Sequence, residues 1–187
     1  FFPEAMVIEY NTCADMFYAL TQKKIDISMI DASSYTCALW EGLQLSRLDE
    51  VAENSEYGII FPKGQQQELR SQVNAFLAEI KGNGTYDELH EKWFSNTEPT
   101  EFLDPATLTG TNGTLRVITN NELKPFGYIK NGRLVGYDVD ILTLFAQAYG
   151  YRLDITEVPF QSLLAGVSSR AYQMGIAGLT ITEERKE

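Results

Sequence analysis

The sequence predicts an α/β fold in which open sheets are flanked by helices, and three observations carry that expectation. Extended and helical patterns alternate in the first 41 residues and again from Thr114 onward. The extended runs place apolar side chains on both faces, as strands covered by crossover helices do. Clusters of Gly, Asn and Pro separate the runs.

Each element follows in order. Met6 to Tyr10 reads as a strand, Ala14 to Thr21 as a helix with Met16, Phe17 and Leu20 on one side, and Ile25 to Ile30 as a second, buried strand. That strand ends in Asp31, and a helix from Ala32 to Glu41 comes next. Tyr57 to Pro62 is a short strand stopped by Pro62 and Gly64. Leu69, Val73, Phe76, Leu77 and Ile80 then recur at helical spacing up to Gly82-Asn83-Gly84, and Tyr86, Leu89, Trp93 and Phe94 stripe a second helix. Residues 96–113 are rich in Thr, Asn, Gly and Pro without sustained period and read as a linker.

A new unit opens at Thr114. Leu115 to Thr119 is a strand, and Phe126–Ile129 pairs with Arg133–Val135 across Asn131-Gly132, a two-residue hairpin signal. Asp138 is placed to cap a helix whose Ile141, Leu142, Leu144, Phe145 and Ala148 face a core and which Gly150 ends. Strand Arg152–Val158, helix Gln161–Val167 and strand Tyr172–Ala177 complete the unit. Tyr18–Asp31 and Leu163–Gly178 echo one another: each runs helix, polar turn, apolar strand, polar terminus. Ligands of open α/β sheets sit outside the carboxyl ends of strands, so Asp31 and the segment Gly178–Thr182 are the places to look.

Composition narrows the function. The 187 residues carry a net charge of −11, which repels nucleic acid and anionic lipid but leaves small ligands open. Ten Phe and ten Tyr argue for a packed chain rather than a disordered one. No apolar run approaches a membrane span, and the N-terminal residues lack the pattern of a signal peptide, so the chain reads as soluble. Cys13 and Cys37 fit no metal-ligand or redox spacing.

No catalytic set is evident. His90, the one histidine, has no histidine partner for a zinc helix and reads as a solvated helix-face residue. The acidic pairs Asp138/Asp140 and Glu183/Glu184 read as helix-start residues rather than a carboxylate or metal site, and no cofactor motif is present. In the remaining segment, Gly178 permits close approach of backbone to a ligand, Thr180 offers a hydroxyl, and Arg185 suits a carboxylate through a bidentate pair. Taken alone, Arg185 is equally a surface side chain. Asp31 is either the N-cap of the following helix or an anion for a ligand ammonium, and Phe160 either staples its helix or stacks on a ligand.

Motifs on both sides of the linker resemble one family. Lys124-Pro125-Phe126-Gly127-Tyr128, Leu134-Val135-Gly136-Tyr137-Asp138-Val139-Asp140, Val158-Pro159-Phe160 and Gly175–Lys186 resemble the opening half of bacterial extracellular amino-acid-binding proteins of ABC importers. Lys24–Ala32, Tyr57–Gly64 and Ile80–Phe94, ending in Lys92-Trp93-Phe94, resemble the closing half. The halves stand in inverted order, which implies the junction of two tandem modules. Residues 1–56 would be a partial second lobe, 57–95 a returning strand and closing helices that pack on a first lobe, 96–113 a linker, and 114–187 a partial first lobe of the following module.

The resemblance implies a non-enzymatic, extracytoplasmic receptor of two hinged lobes, tethered to the membrane through its parent protein. It would bind a polar amino acid without a cofactor and deliver it to an ABC permease, or report it to a membrane sensor; a small-acid dehydratase on the same fold is the remaining alternative. By position in the family motifs, Gly178 and Thr180 would contact the ligand's amino-acid group, Arg185 its carboxylate and Asp31 its ammonium, with Phe160 over the side-chain pocket. Leu123 stands where many relatives place a stacking aromatic, and Gln173 replaces a frequent acidic residue. The 18 residues of the linker reach about 60 Å at about 3.3 Å per residue. The 57–95 faces can therefore cover the 114–187 lobe of the same chain, giving a permuted module that brings Asp31 and Arg185 to one cleft.

Overall fold

The computed structural model describes residues 3–10, 12–48 and 54–183. Its elements are α1 (Cys13–Thr21), α2 (Ala32–Trp40), β1 (Tyr57–Ile60), α3 (Gln67–Gly82), α4 (Thr85–Phe94), β2 (Thr114–Thr119), β3 (Glu122–Leu123), β4 (Gly127–Lys130), β5 (Arg133–Val135), α5 (Tyr137–Tyr149), β6 (Arg152–Glu157), α6 (Leu163–Ser168) and β7 (Met174–Thr180). The α/β class expected from the sequence is the class observed, with sheets flanked by helices.

Residues from both sides of the 96–113 span build one sheet, in the order β1-β7-β2-β6. β2 runs parallel to β6, from Thr114 opposite Arg152 to Thr119 opposite Glu157, and parallel to β7. β1 closes the edge antiparallel to β7, with Tyr57 opposite Thr180 and Gly58 opposite Leu179. Side chains alternate across this sheet. Val117 faces a core shared with Leu69, Val73, Phe76 and Ile80 of α3, Leu89 and Trp93 of α4, and Ile141, Leu142 and Phe145 of α5. Ile118 faces the opposite layer, with Leu163 and Val167 of α6. The helical stripes read at 69–80 and 86–94 are thus spent on the 114–180 body.

The smaller sheet β3-β4-β5 carries the predicted hairpin, with Asn131 and Gly132 both at positive φ (51° and 74°) as its two-residue turn requires. Residues 96–113 lie along this sheet and α5. Glu98 accepts from Tyr128 and pairs with Lys130 at 2.6 Å, Asp104 pairs with Arg133 at 3.2 Å, and Phe102 packs on Trp93. α2 docks nearby through a Trp40 Nε1 bond to the Ser95 carbonyl (2.8 Å) and a Lys124–Glu41 ion pair (2.9 Å).

Two expected strands do not form. Residues 6–10 and 25–30 have no ladder partner among the described residues, and Met6 (83% exposed) and Met29 (75%) stand in solvent. A strand exists only beside a neighbour that takes its N–H and C=O groups, so an apolar pattern alone does not make one. The helix expected from Gln161 begins as a 3-10 turn at Phe160–Ser162 and becomes α-helical at Leu163. Among the described residues no helix is long and apolar enough to cross a membrane. Both cysteines are free; Cys13 is exposed, and burial pushes the Cys37 thiol up to about 12.

Candidate functional site

The parallel strands β2, β6 and β7 end on one edge of the sheet. Chain connectivity reverses at β2: the crossover through α5 leads to β6 on one side, and the crossover through α6 leads to β7 on the other. The crevice outside the end of such a strand is where open α/β sheets hold ligands. Thr119 and Asn120 form its floor, Thr119 donating to the Ile176 carbonyl (2.6 Å) and Asn120 to the Val158 carbonyl (3.0 Å).

Gly178 lies beside this crevice near the end of β7. Its φ is +55°, and a Cβ there would stand 2.9 Å from the Phe126 ring and 3.0 Å from Leu123, so only glycine fits between them. Its N–H donates to Asp138 Oδ2 at 2.9 Å. Asp138 therefore does not cap α5, as its place in the sequence suggested; Gly136 holds the N-cap position, and the Asp138 carboxylate is turned inward and buried. Burial pushes that carboxyl up to about 7, against the opposing pull of the Gly178 N–H. Asp140 likewise points inward and accepts from Lys92, Trp93 and the Leu103 backbone.

Tyr57, opposite Thr180 in the ladder, links this crevice to the N-terminal segment. Its ring lies 4.8 Å from Phe126. Burial raises its phenol above the usual value, and the neighbouring Asp31 carboxylate raises it further. Asp31 occupies the N-cap position of α2 but makes no side-chain capping bond, leaving its carboxylate exposed beside Tyr57. Ser33, in the first turn of α2, is buried, and its hydroxyl lies beside the Tyr57 phenol. Asp31, Gly178 and Thr180 are therefore gathered around Tyr57 and Phe126.

Phe160 opens its 3-10 turn half-buried against the cluster of Ile118, Leu163 and Leu179, the last of these next to Gly178 in β7. The other sequence candidates fall elsewhere. Arg185 and Glu184 lie outside the described residues. His90 is exposed on α4 and packs on Phe94 at 4.7 Å. Gln173 accepts from the Arg116 N–H at 2.8 Å just before β7 begins, at the opposite end of that strand from the crevice. Among the described residues no group of three or more His, Cys, Asp or Glu is placed to hold a metal ion.

The family model for bacterial extracellular solute-binding proteins, family 3, matches residues 5–96 and 115–187. The chain belongs to that family. Among its relatives, the arginine-binding extracellular protein ArtP of Bacillus subtilis is 32% identical over 69 residues, 37% of this chain and 27% of ArtP. The ABC transporter glutamine-binding protein GlnH of the same organism is 31% identical over 99 residues, 53% of this chain and 36% of GlnH. Cyclohexadienyl dehydratase of Pseudomonas aeruginosa is 29% identical over 76 residues, 40% of this chain and 28% of that enzyme. The chain thus spans between about a quarter and about a third of the length of these relatives.

Tyr57 and Asp138 escaped sequence reasoning. Asp138 carried one usable signal: it stands between Tyr137 and Val139 in a helix whose residues 137–143 are all buried, where a carboxylate meant only as a cap would have no reason to point inward.

Proposed function

We propose that the chain is the binding cleft of an extracytoplasmic solute receptor for a polar amino acid, made by inverted halves of the family pattern packed as one permuted module. The observation that carries this reading is the register of Tyr57 against Thr180, which sets Asp31 beside the carboxyl end of β7. In this reading Asp31 holds the ligand's ammonium, Gly178 and Thr180 meet its amino-acid group through backbone and hydroxyl, Arg185 pairs with its carboxylate, and Phe160 borders the side-chain pocket. Closure of lobes around the ligand then presents a surface to an ABC permease.

The charge-assisted bonds at Asp31 and Arg185 contribute about 1.5–3 kcal/mol each, so Asp31→Ala and Arg185→Ala each weaken binding by about 10- to 100-fold. Titration calorimetry with L-arginine and L-glutamine, the amino acids in the names of ArtP and GlnH, tests this. One site per chain that is weakened by both substitutions supports the permuted module. Two sites, each weakened by one substitution, would instead mean that the halves serve separate clefts of neighbouring modules.

The dehydratase relative favours a second reading, an eliminating enzyme on the same scaffold. Fold alone licenses no chemistry, and such an enzyme needs a general acid in the cleft. Release of water from a cyclohexadienyl acid, followed by absorbance, separates enzyme from receptor.

A further inference from the structure

We infer that Asp138 is the positioning residue of the cleft, its carboxylate fixing the Gly178 backbone through the 2.9 Å bond and so setting the geometry that β7 offers a ligand. The inference rests on the reading of Gly178 as a ligand contact. Three features of the structure converge on it. The Asp138 side chain is buried, yet it neither caps its own helix nor pairs with a cation among the described residues. Its hydrogen bond goes to the residue at which β7 takes positive φ, forty positions away in sequence. Phe126 and Leu123 close on the other side of Gly178, so the backbone there is held between an apolar wall and one anchor.

A backbone N–H bonded to an ionised carboxylate is held more tightly than one bonded to a neutral carboxyl. The state of Asp138 therefore changes how firmly the strand end is held. Among the described residues, the titratable groups that face it are Tyr57 from β1 and Tyr137 on its own helix, with Asp31 beyond Tyr57. Burial raises both phenols above their usual value, so neither changes charge near neutrality. A proton-linked change at Gly178 that disappears in Asp138→Asn therefore reports Asp138, whose carboxyl burial pushes up to about 7.

The test uses the full chain labelled with 15N, in wild-type form and as Asp138→Asn, a variant of the same shape without the charge. The Gly178 amide proton should move downfield with a midpoint near 7 in wild type and show no such step in Asp138→Asn. L-arginine and L-glutamine are titrated over the same pH range. The amino acid that binds should bind about tenfold more weakly to Asp138→Asn above pH 8, with wild-type affinity following the amide's midpoint. A Gly178 amide that does not titrate, or an Asp138→Asn variant that keeps wild-type affinity and pH dependence, overturns the inference. If the amide titrates as expected while wild type binds neither amino acid, the hold of Asp138 on the strand end stands and the choice of ligand falls.

Discussion

Trp93 donates its indole N–H to Asp140 Oδ2 at 2.8 Å, and both side chains are essentially sealed from solvent, at 0% and 1% exposure. The tryptophan belongs to α4, before residues 96–113, and the aspartate to α5, after them, so this bond joins the chain across that span at its core. Lys92 reaches the same oxygen at 2.7 Å, and the Leu103 N–H reaches the other oxygen at 3.3 Å. One carboxylate thereby secures α4, α5 and the connecting span together.

Removing that carboxylate leaves a buried indole N–H without an acceptor, whereas Lys92 can turn to water. Asp140→Ala should destabilise the chain by about 3–5 kcal/mol, and Trp93→Phe, which keeps most of the ring, by about 1–3 kcal/mol. Because both changes break the same bond, the double variant should lose less than the two losses added together. Urea unfolding of the four proteins measures this, and strict additivity would show that the bond joins nothing.

Phe76 on α3 meets Phe145 on α5 edge to face, with ring centroids 5.6 Å apart, although one precedes the connecting span and the other follows it. Phe76→Ala should cost about 3–5 kcal/mol and lower a single unfolding transition. Amide hydrogen exchange should quicken in β2 and β7 as well as in α3. Faster exchange confined to α3 and α4 would mean that residues 57–94 fold apart from the rest.

Gly136 enters α5 at φ +147°, where a Cβ would stand 2.1 Å from the Phe126 carbonyl oxygen. That neighbour is backbone and cannot move aside. Gly136→Ala should therefore displace the start of α5 and cost about 3 kcal/mol or more, strained backbone and overpacking acting together. Thermal unfolding measures the loss, and the Gly178 amide resonance should shift with it, because Asp138 lies two residues on.

What the sequence made legible, and what it hid, divides along one physical line. α3 and α4 were readable because each carries its own apolar stripe, and the β4–β5 hairpin because Asn131-Gly132 specifies its turn locally. The runs 6–10 and 25–30 show equally apolar patterns, but a strand's existence depends on a partner elsewhere in the chain, and none of the described residues supplies it. The same dependence concealed the site. Asp138 looks like a cap until β7 brings Gly178 against it, and Tyr57 looks like the first residue of a short strand until its register sets it opposite Thr180. Asp31 was visible because it follows an apolar run directly, and its lack of a capping bond could be seen only in the folded chain.

The buried carboxyl of Asp138 also sets how stability depends on pH. Its value of about 7 in the folded chain lies above its ordinary 3.8, so between those limits the folded chain keeps a proton that the unfolded chain has released. Where the native state binds more protons, stability falls as pH rises. The loss begins near pH 4, is spread up to about pH 7, and amounts to at most about 4 kcal/mol. Glu98 works with the opposite sign: burial opposes its ionisation, but hydrogen bonds from Lys130 and Tyr128 prevail and hold it below its usual 4.5, so its contribution is lost only in more acid solution. Asp138→Asn, neutral at every pH, isolates the first effect. The variant and wild type should be similarly stable near pH 4, and by pH 8 the variant should be the more stable by several kcal/mol in urea unfolding. A gap that does not widen with pH would show that Asp138 is ionised in the folded chain throughout, and that a group other than Gly178 compensates its burial.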